Sequence, residues 1–223
     1  MTERIVLAYS GGAASTQTIA RLAGHGAEVV TVTLDVGQAR DAAAIRDRAL
    51  SDGAARAHVL DVRDEFARDH ALPALKGAEL PDVTTLAAAL VAAKLAEISR
   101  IENATIEPIS GDAGANLLCR PVVDVSRAPD TAAQVELVFE HGVPTSINGV
   151  SMSLTELIES LSLIAGRHGV GRFGHVEAPA AVVLHAAFQA LGGRDGLVRL
   201  SLLKGQHTLV AVDEHAPRVV THA

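Results

Sequence analysis

Aromatic side chains are nearly absent from this chain. Tryptophan is missing, tyrosine occurs once (Tyr9), phenylalanine four times, and aromatics make up 2% of 223 residues. A protein that stacks nucleic-acid bases needs several aromatic faces, so such a platform is excluded. The core must be built from Ala, Val, Leu and Ile, within a hydrophobic fraction of 48%. Positive charge is also short: 19 Lys and Arg stand against 26 Asp and Glu, a formal net charge of -7. That balance disfavours DNA or RNA as a partner. With a single cysteine, Cys119, no internal disulfide can form, which fits a reducing compartment. Its neighbours Leu117 and Leu118 predict a buried, inert thiol. No apolar run approaches membrane-spanning length and no charged-then-apolar leader is read. The expectation is a cytoplasmic protein with neither a membrane nor a nucleic-acid partner.

What is present is a regular alternation over the first half. Strands are predicted at Arg4 to Tyr9, Glu28 to Val36, Ala57 to Asp61 and Ala104 to Ile109. Between them, helical patterns cover Ser15 to Gly24, Ala39 to Ser51, a stretch beginning at Val62, and Thr84 to Ser99. Strands separated by helices imply right-handed βαβ crossovers and a parallel sheet covered on both faces. Past Arg120 the pattern changes. Residues 120–133 read as a linker between a domain at 1–119 and a second at 134–223. The second carries paired strands at Gln134 to Glu140 and Val143 to Asn148, and a hairpin turned at Lys204-Gly205-Gln206 with Lys204 in solvent. Its clearest helix is Ser153 to Arg167, with Ser153 as N-cap and Glu156 three residues on. The fold class is therefore α/β, a parallel-sheet domain followed by a small α+β domain.

Parallel sheets bind ligands beyond the carboxyl ends of their strands. Ser10, Val36 to Gln38 and Gly111 fall at such ends. The first strand runs Ile5-Val6-Leu7-Ala8-Tyr9 into Ser10-Gly11-Gly12 and then straight into a helix. Glycines let a phosphate approach the backbone, the free N–H groups and dipole of the helix start attract an anion, and Ser10, Ser15 and Thr16 offer hydroxyl donors. The alternative is a plain strand-to-helix turn. His168 and His175 lack a third ligand, so no metal centre is read.

The turn resembles the Ser-Gly-Gly-x-Asp-Ser/Thr loop of the N-type ATP pyrophosphatases, with Ala14 where those proteins carry aspartate. Ordered blocks extend the likeness to the argininosuccinate synthase family: Ala8-Tyr9-Ser10-Gly11-Gly12, Thr33-Leu34-Asp35-Val36-Gly37-Gln38, Asp61-Val62-Arg63-Asp64-Glu65-Phe66-Ala67-Arg68-Asp69, Ile147-Asn148-Gly149, Ile164-Ala165-Gly166-Arg167-His168-Gly169-Val170-Gly171-Arg172, Val176-Glu177 and Leu203-Lys204-Gly205. The resemblance implies an N-type ATP pyrophosphatase-like (adenine nucleotide alpha hydrolase-like) first domain and ATP or another adenine nucleotide as ligand. It carries Ala8, Tyr9, Ser10, Gly11, Gly12, Ser15, Thr16, Leu34 and Gly111 over as nucleotide- or phosphate-binding positions. Glu177 matches the family's citrulline-binding glutamate, with a solvated strand-end carboxylate as the alternative.

The chain also departs from the pattern. The family's His-Gly-x-Thr-Gly-Lys-Gly-Asn-Asp-Gln stretch is absent after Ala113, a second segment is absent after Glu177, and an oligomerising tail is absent beyond Ala223. The tyrosines of the citrulline pocket have no counterparts in Leu80 to Ala89. Displacing pyrophosphate needs Mg²⁺ or cationic clamps on the developing charge, and Ala14 cannot anchor a metal. The expectation is a non-catalytic nucleotide- or anion-binding or assembly protein. The alternative is an ATP-dependent ligase-type enzyme with altered chemistry. Faces uncovered by the missing segments, in a chain of mean hydropathy +0.27, predict self-association as a two-fold homodimer through the 153–167 helix and edge strands of the second domain.

Overall fold

The computed structural model describes residues 3–38, 41–108 and 116–214. They form two compact units, Met1–Arg63 with Thr85–Asn116, and Asp64–Thr84 with Leu117–Ala223. Residues 120–133 group with the second unit, where Val122 and Ala128 are buried.

The first unit is a four-stranded sheet in the order β3-β2-β1-β4, built from β1 (Arg4–Ala8), β2 (Glu28–Asp35), β3 (Arg56–Asp61) and β4 (Thr105–Ile106). All its pairings are parallel, with Val6 opposite Val30 and Thr31 opposite Ala57. Central strands of a parallel sheet are covered on both faces and read as continuous apolar runs. That is the pattern of β2, whose six middle residues are all buried. Helices α1 (Ala13–Gly24) and α2 (Ala42–Ser51) supply Ile19, Leu22 and Ala49 to a core with Ile5, Leu7, Tyr9 and Val29. A third helix, α5 (Ala88–Glu102), packs on β1 and β2 with Leu90, Leu95 and Ile98 buried.

The second unit contains an antiparallel sheet in the order β11-β10-β5-β6-β7. Its strands are β5 (Ala133–Glu140), β6 (Val143–Ile147), β7 (Val150–Ser151), β10 (Gly196–Leu203) and β11 (Gln206–Asp213), and a separate pair is made by β8 (Arg172–Phe173) and β9 (Val176–Glu177). Helices α6 (Leu154–Arg167) and α7 (Pro179–Leu191) pack together over this sheet. Phe139 and Phe188 meet edge to face with centroids 5.0 Å apart. The capping box forms as its spacing predicts: Ser153 Oγ accepts from Glu156 N at 3.3 Å, and Glu156 Oε2 accepts from Ser153 N at 2.9 Å. The insertion 64–84 belongs here because its polar groups are satisfied here. Thr155 Oγ1 donates to Asp64 Oδ1 at 2.5 Å, and Gln189 Nε2 donates to the Gly77 carbonyl at 2.7 Å.

Several expectations need correcting. The helix beginning at Val62 is three pieces, α3 (Arg63–Glu65), a π-helical stretch Phe66–Ala71 and α4 (Leu72–Leu75). Pro73 cannot donate to the Asp69 carbonyl and its ring crowds that oxygen, so the preceding turn widens. The helix predicted from Thr84 starts at Ala88 because Asp82 Oδ1 draws in Thr84 N and Thr84 Oγ1, at 3.0 and 2.7 Å, and holds a 3₁₀ turn over Val83–Thr85. The fourth strand is only Thr105–Ile106, and Ile109 lies outside the described residues. Cys119 is only partly buried, since the turn at Leu117-Leu118 directs those two side chains inward and not the cysteine. Lys204 is ion-paired with Asp130.

Backbone geometry makes Gly171 the least replaceable position in the second unit. Its φ is 125°, and an added Cβ would stand 2.2 Å from Pro179 Cα. Ser153→Ala is expected to cost about 1 kcal/mol, the usual worth of an N-cap. Gly171→Ala is expected to cost several times more, combining overpacking with a strained φ. Urea unfolding of both variants measures the contrast, and a Gly171→Ala chain as stable as Ser153→Ala would contradict it.

Candidate functional site

β1 hands the chain to α1 through Tyr9-Ser10-Gly11-Gly12. Tyr9 N donates to the Val32 carbonyl at 2.9 Å, and Thr33 Oγ1 donates to the Tyr9 carbonyl at 2.8 Å, which fixes the exit of the strand. Gly11 then takes φ 76°, a left-handed conformation that glycine adopts at least cost. Gly12 is the N-cap of α1 and brings no side-chain hydrogen bond to the first turn. Ser10, Gly12, Ala13 and Ala14 are exposed. The start of α1 thus presents backbone N–H groups and the positive end of the helix dipole, with no side-chain cap from its N-cap residue.

The hydroxyls of the turn behave differently from the donors expected of them. Ser15, which is buried, donates to the Gly12 carbonyl at 2.9 Å. Thr16 Oγ1 and the Tyr9 hydroxyl both donate to one oxygen, Asp52 Oδ2, each at 2.7 Å. Asp52 is the C-cap of α2, so three elements are tied at one atom. Hydrogen bonds from Thr16 and then Tyr9 hold the Asp52 carboxyl below the usual aspartate range. Burial, followed by the bond to Asp52, pushes the Tyr9 phenol up. The protons of Ser15, Thr16 and Tyr9 are committed within the protein, so these three hydroxyls are not offered to an anion at this turn.

Among the described residues, the rest of the carboxyl edge is largely self-satisfied. Ala8, the last residue of β1, is partly buried opposite Val32. Leu34 is buried near the end of β2, and its carbonyl accepts from Gln38 Nε2 at 2.7 Å. Arg63 could serve as a cationic clamp, but its Nε and Nη2 lie on Asp61 at 3.0 and 2.7 Å. Gly111 lies outside the described residues. At the amino edge of the same sheet, Glu102 is 5% exposed and accepts from Arg56 at 2.8 Å, with His58 at 3.1 Å and Arg4 at 3.5 Å. Burial raises its carboxyl, but the bonds from His58 and Arg56 outweigh that and hold it below the usual range. Neither Asp52 nor Glu102 carried a motif. An aspartate before a glycine at a helix end reads as a solvent-facing cap, and Glu102 as a residue of a helix's polar face.

Glu177 belongs to the second unit, and the turn to the first. Its carboxylate accepts from Arg172 Nε at 3.2 Å and from Val122 N at 3.1 Å. It is neither a fully solvated carboxylate nor one free of protein partners. His168 Nδ1 lies 2.9 Å from the Ile164 carbonyl, the contact of a helix-end residue. Among the described residues no three His, Cys, Asp or Glu side chains group as a metal site. Ala14, exposed on the first turn of α1, brings no carboxylate to the glycine turn, so among the described residues the side chains there do not fit Mg²⁺. The backbone N–H groups of the helix start do fit a phosphate.

Comparison with known proteins gives the family. The model of the Arginosuccinate synthase N-terminal HUP domain matches residues 4–112, and that of the Arginosuccinate synthase C-terminal domain matches residues 93–193. The chain belongs to the argininosuccinate synthase family. Its first unit accordingly has the HUP, or N-type ATP pyrophosphatase, fold. The chain is similar to argininosuccinate synthase of Dehalococcoides mccartyi, 30% identical over 86% of this chain and 70% of the relative. Those of Listeria welshimeri and Bacillus subtilis are 30% and 31% identical over 78% of this chain. The chain spans only 63% and 64% of the length of these last two. The Dehalococcoides alignment runs over 286 positions against a chain of 223 residues, so segments internal to that relative are missing here. No helix among the described residues is long and apolar enough to cross a membrane.

The knot at Asp52 predicts a pH dependence. A carboxyl with a depressed folded-state pKa stabilises the fold above its unfolded value, and that contribution is lost as pH falls through the folded value. Asp52→Ala is therefore expected to be less stable than wild type at neutral pH. The gap should begin to close only below about pH 4, near the ordinary aspartate value. Urea unfolding of both chains across that range measures it. A gap that widens on acidification contradicts the assignment.

Proposed function

We propose that this family member binds an adenine nucleotide or a smaller phosphate-containing anion at the Ser10-Gly11-Gly12 turn, in the cytoplasm, and does not ligate citrulline to aspartate. The observation that carries this reading is Ala14. The position is exposed at the start of α1, directly after an uncapped glycine turn, so backbone is offered to a phosphate and no carboxylate to its metal. Losing a charge-assisted contact costs on the order of 1.5–3 kcal/mol, and losing a key electrostatic stabiliser roughly 10²–10³ in rate. The missing internal segments remove substrate positioning as well. Glu177 supports the same reading, because its carboxylate is engaged by Arg172 and Val122. The chain further associates with itself as a homodimer, covering apolar surface.

A second reading, an ATP-dependent enzyme with different chemistry, is favoured by one observation. The turn keeps an open approach: a Cβ at Gly11 would meet nothing within 4 Å.

Calorimetric titration with ATP, AMP and pyrophosphate, each with and without Mg²⁺, separates the two. The first reading expects binding with little dependence on Mg²⁺ and no pyrophosphate release with citrulline and aspartate. Turnover with those substrates would refute it, and absence of binding to all three ligands would remove the site. Ala14→Asp is expected to make ATP binding metal-dependent, about tenfold or more tighter with Mg²⁺. An unchanged affinity in Mg²⁺ would show that position 14 does not face the phosphates.

A further inference from the structure

Among the described residues, the two glycines of the Ser-Gly-Gly turn have open space where a side chain would stand. A Cβ added at Gly11 would meet nothing within 4 Å, and one at Gly12 would meet only Ser10 Oγ, at 3.5 Å. No core side chain wedges the turn there, so its shape depends on how its two ends are tied. Tyr9 leads into the turn and Thr16 follows it, and both hydroxyls donate to Asp52 Oδ2 at 2.7 Å.

The acceptor is itself anchored. Asp52 closes α2, its N–H on the Arg48 carbonyl at 2.8 Å. At the next residue, Gly53, an added Cβ would stand 3.8 Å from Ile19 Cγ2 and 3.9 Å from Ala23 Cβ. Both belong to α1, so the end of α2 lies against the helix that the turn begins. The carboxylate reaches the turn from a packed element.

We infer that Asp52 is the positioning residue of the phosphate-binding turn: by accepting from Tyr9 and Thr16 at once, it holds the intervening chain in the shape that receives the anion. The inference rests on the phosphate reading given above and names what sets the geometry of that site. A turn ordered before the anion arrives avoids the cost of ordering it on binding. The charge of Asp52 acts the other way, because a carboxylate bonded to the first turn of α1 repels the phosphate it helps to place. Geometry and charge can be separated here, since both protons fall on one oxygen. An amide oxygen at position 52 can accept the same two bonds without the charge.

Calorimetric titration of the full chain with inorganic pyrophosphate at neutral pH tests the role. Asp52→Ala is expected to bind about tenfold or more weakly than wild type, and Asp52→Asn at least as tightly as wild type. A role through charge alone predicts tighter binding by both. Thr16→Val should weaken binding in the wild-type background and change nothing in Asp52→Ala, where the bond it breaks is already gone. It carries the test alone if Asp52→Ala does not fold. Glu102→Ala loosens the same sheet from its amino edge, where Glu102 is paired with Arg56 and His58. That variant should lose stability to urea and keep its affinity for pyrophosphate. Three results overturn the positioning role and leave the phosphate site standing: Asp52→Ala or Thr16→Val binding as well as wild type, Asp52→Asn binding as weakly as Asp52→Ala, or Glu102→Ala losing as much affinity as Asp52→Ala. A wild type that binds neither pyrophosphate nor a nucleotide overturns the site, and the role with it.

Discussion

A single oxygen, Asp52 Oδ2, receives the hydroxyl protons of Tyr9 and Thr16, each at 2.7 Å. One atom from the end of α2 thereby meets the residue leaving β1 and the first turn of α1. The Ser-Gly-Gly turn lies between those two attachment points, so its freedom is set by a carboxylate that never faces it. Charge-assisted hydrogen bonds of this kind are stronger than neutral ones, and two donors on one acceptor make the geometry hard to change piecemeal. The cost is chemical. The Tyr9 and Thr16 hydroxyls that hold the turn in place are given to Asp52, which leaves the proposed recognition of a phosphate to the rest of the turn.

The backbone recognition proposed for this turn has a definite character. N–H groups at a helix start bind negative charge without distinguishing the rest of the molecule. The neighbouring side chains are spent on each other, Arg63 on Asp61 and Gln38 on the Leu34 carbonyl. Charged groups around the sheet thus serve its internal order, as Glu102 does under Arg56, His58 and Arg4.

The parts legible in the sequence are those whose signal is local. The apolar runs of β1 and β2, the capping box at Ser153 and Glu156, and the β10–β11 hairpin each depend on residues a few positions apart, and each formed within one or two residues of expectation. The parts that were not legible depend on distant partners. Asp52 acquires its role from Tyr9 and Thr16, 43 and 36 residues away. The π-helical stretch at Phe66–Ala71 arises where Pro73 interrupts a helix that otherwise reads as regular. The short strands β7 and β8, two residues each, are defined by pairing alone. At the turn, Gly11 takes the left-handed conformation that a glycine permits, while Ser15 and Thr16 read as ligand donors because nothing nearby revealed a competing acceptor.

The insertion 64–84 has a consequence in the order of synthesis. Ile5 of β1 is completed on one side by Thr105 of β4, so the first sheet waits for a strand made about a hundred residues later. Phe66, Leu72 and Leu75, all buried in the finished molecule, leave the ribosome before β4 and before α6 and α7, whose Thr155, His185 and Gln189 bond to Asp64, Leu75 and Gly77. Chains whose contacts are far apart in sequence fold slowly and expose apolar surface meanwhile. For this protein the vulnerable interval is its birth: the segment most in need of shelter is translated about a hundred residues ahead of the helices that shelter it.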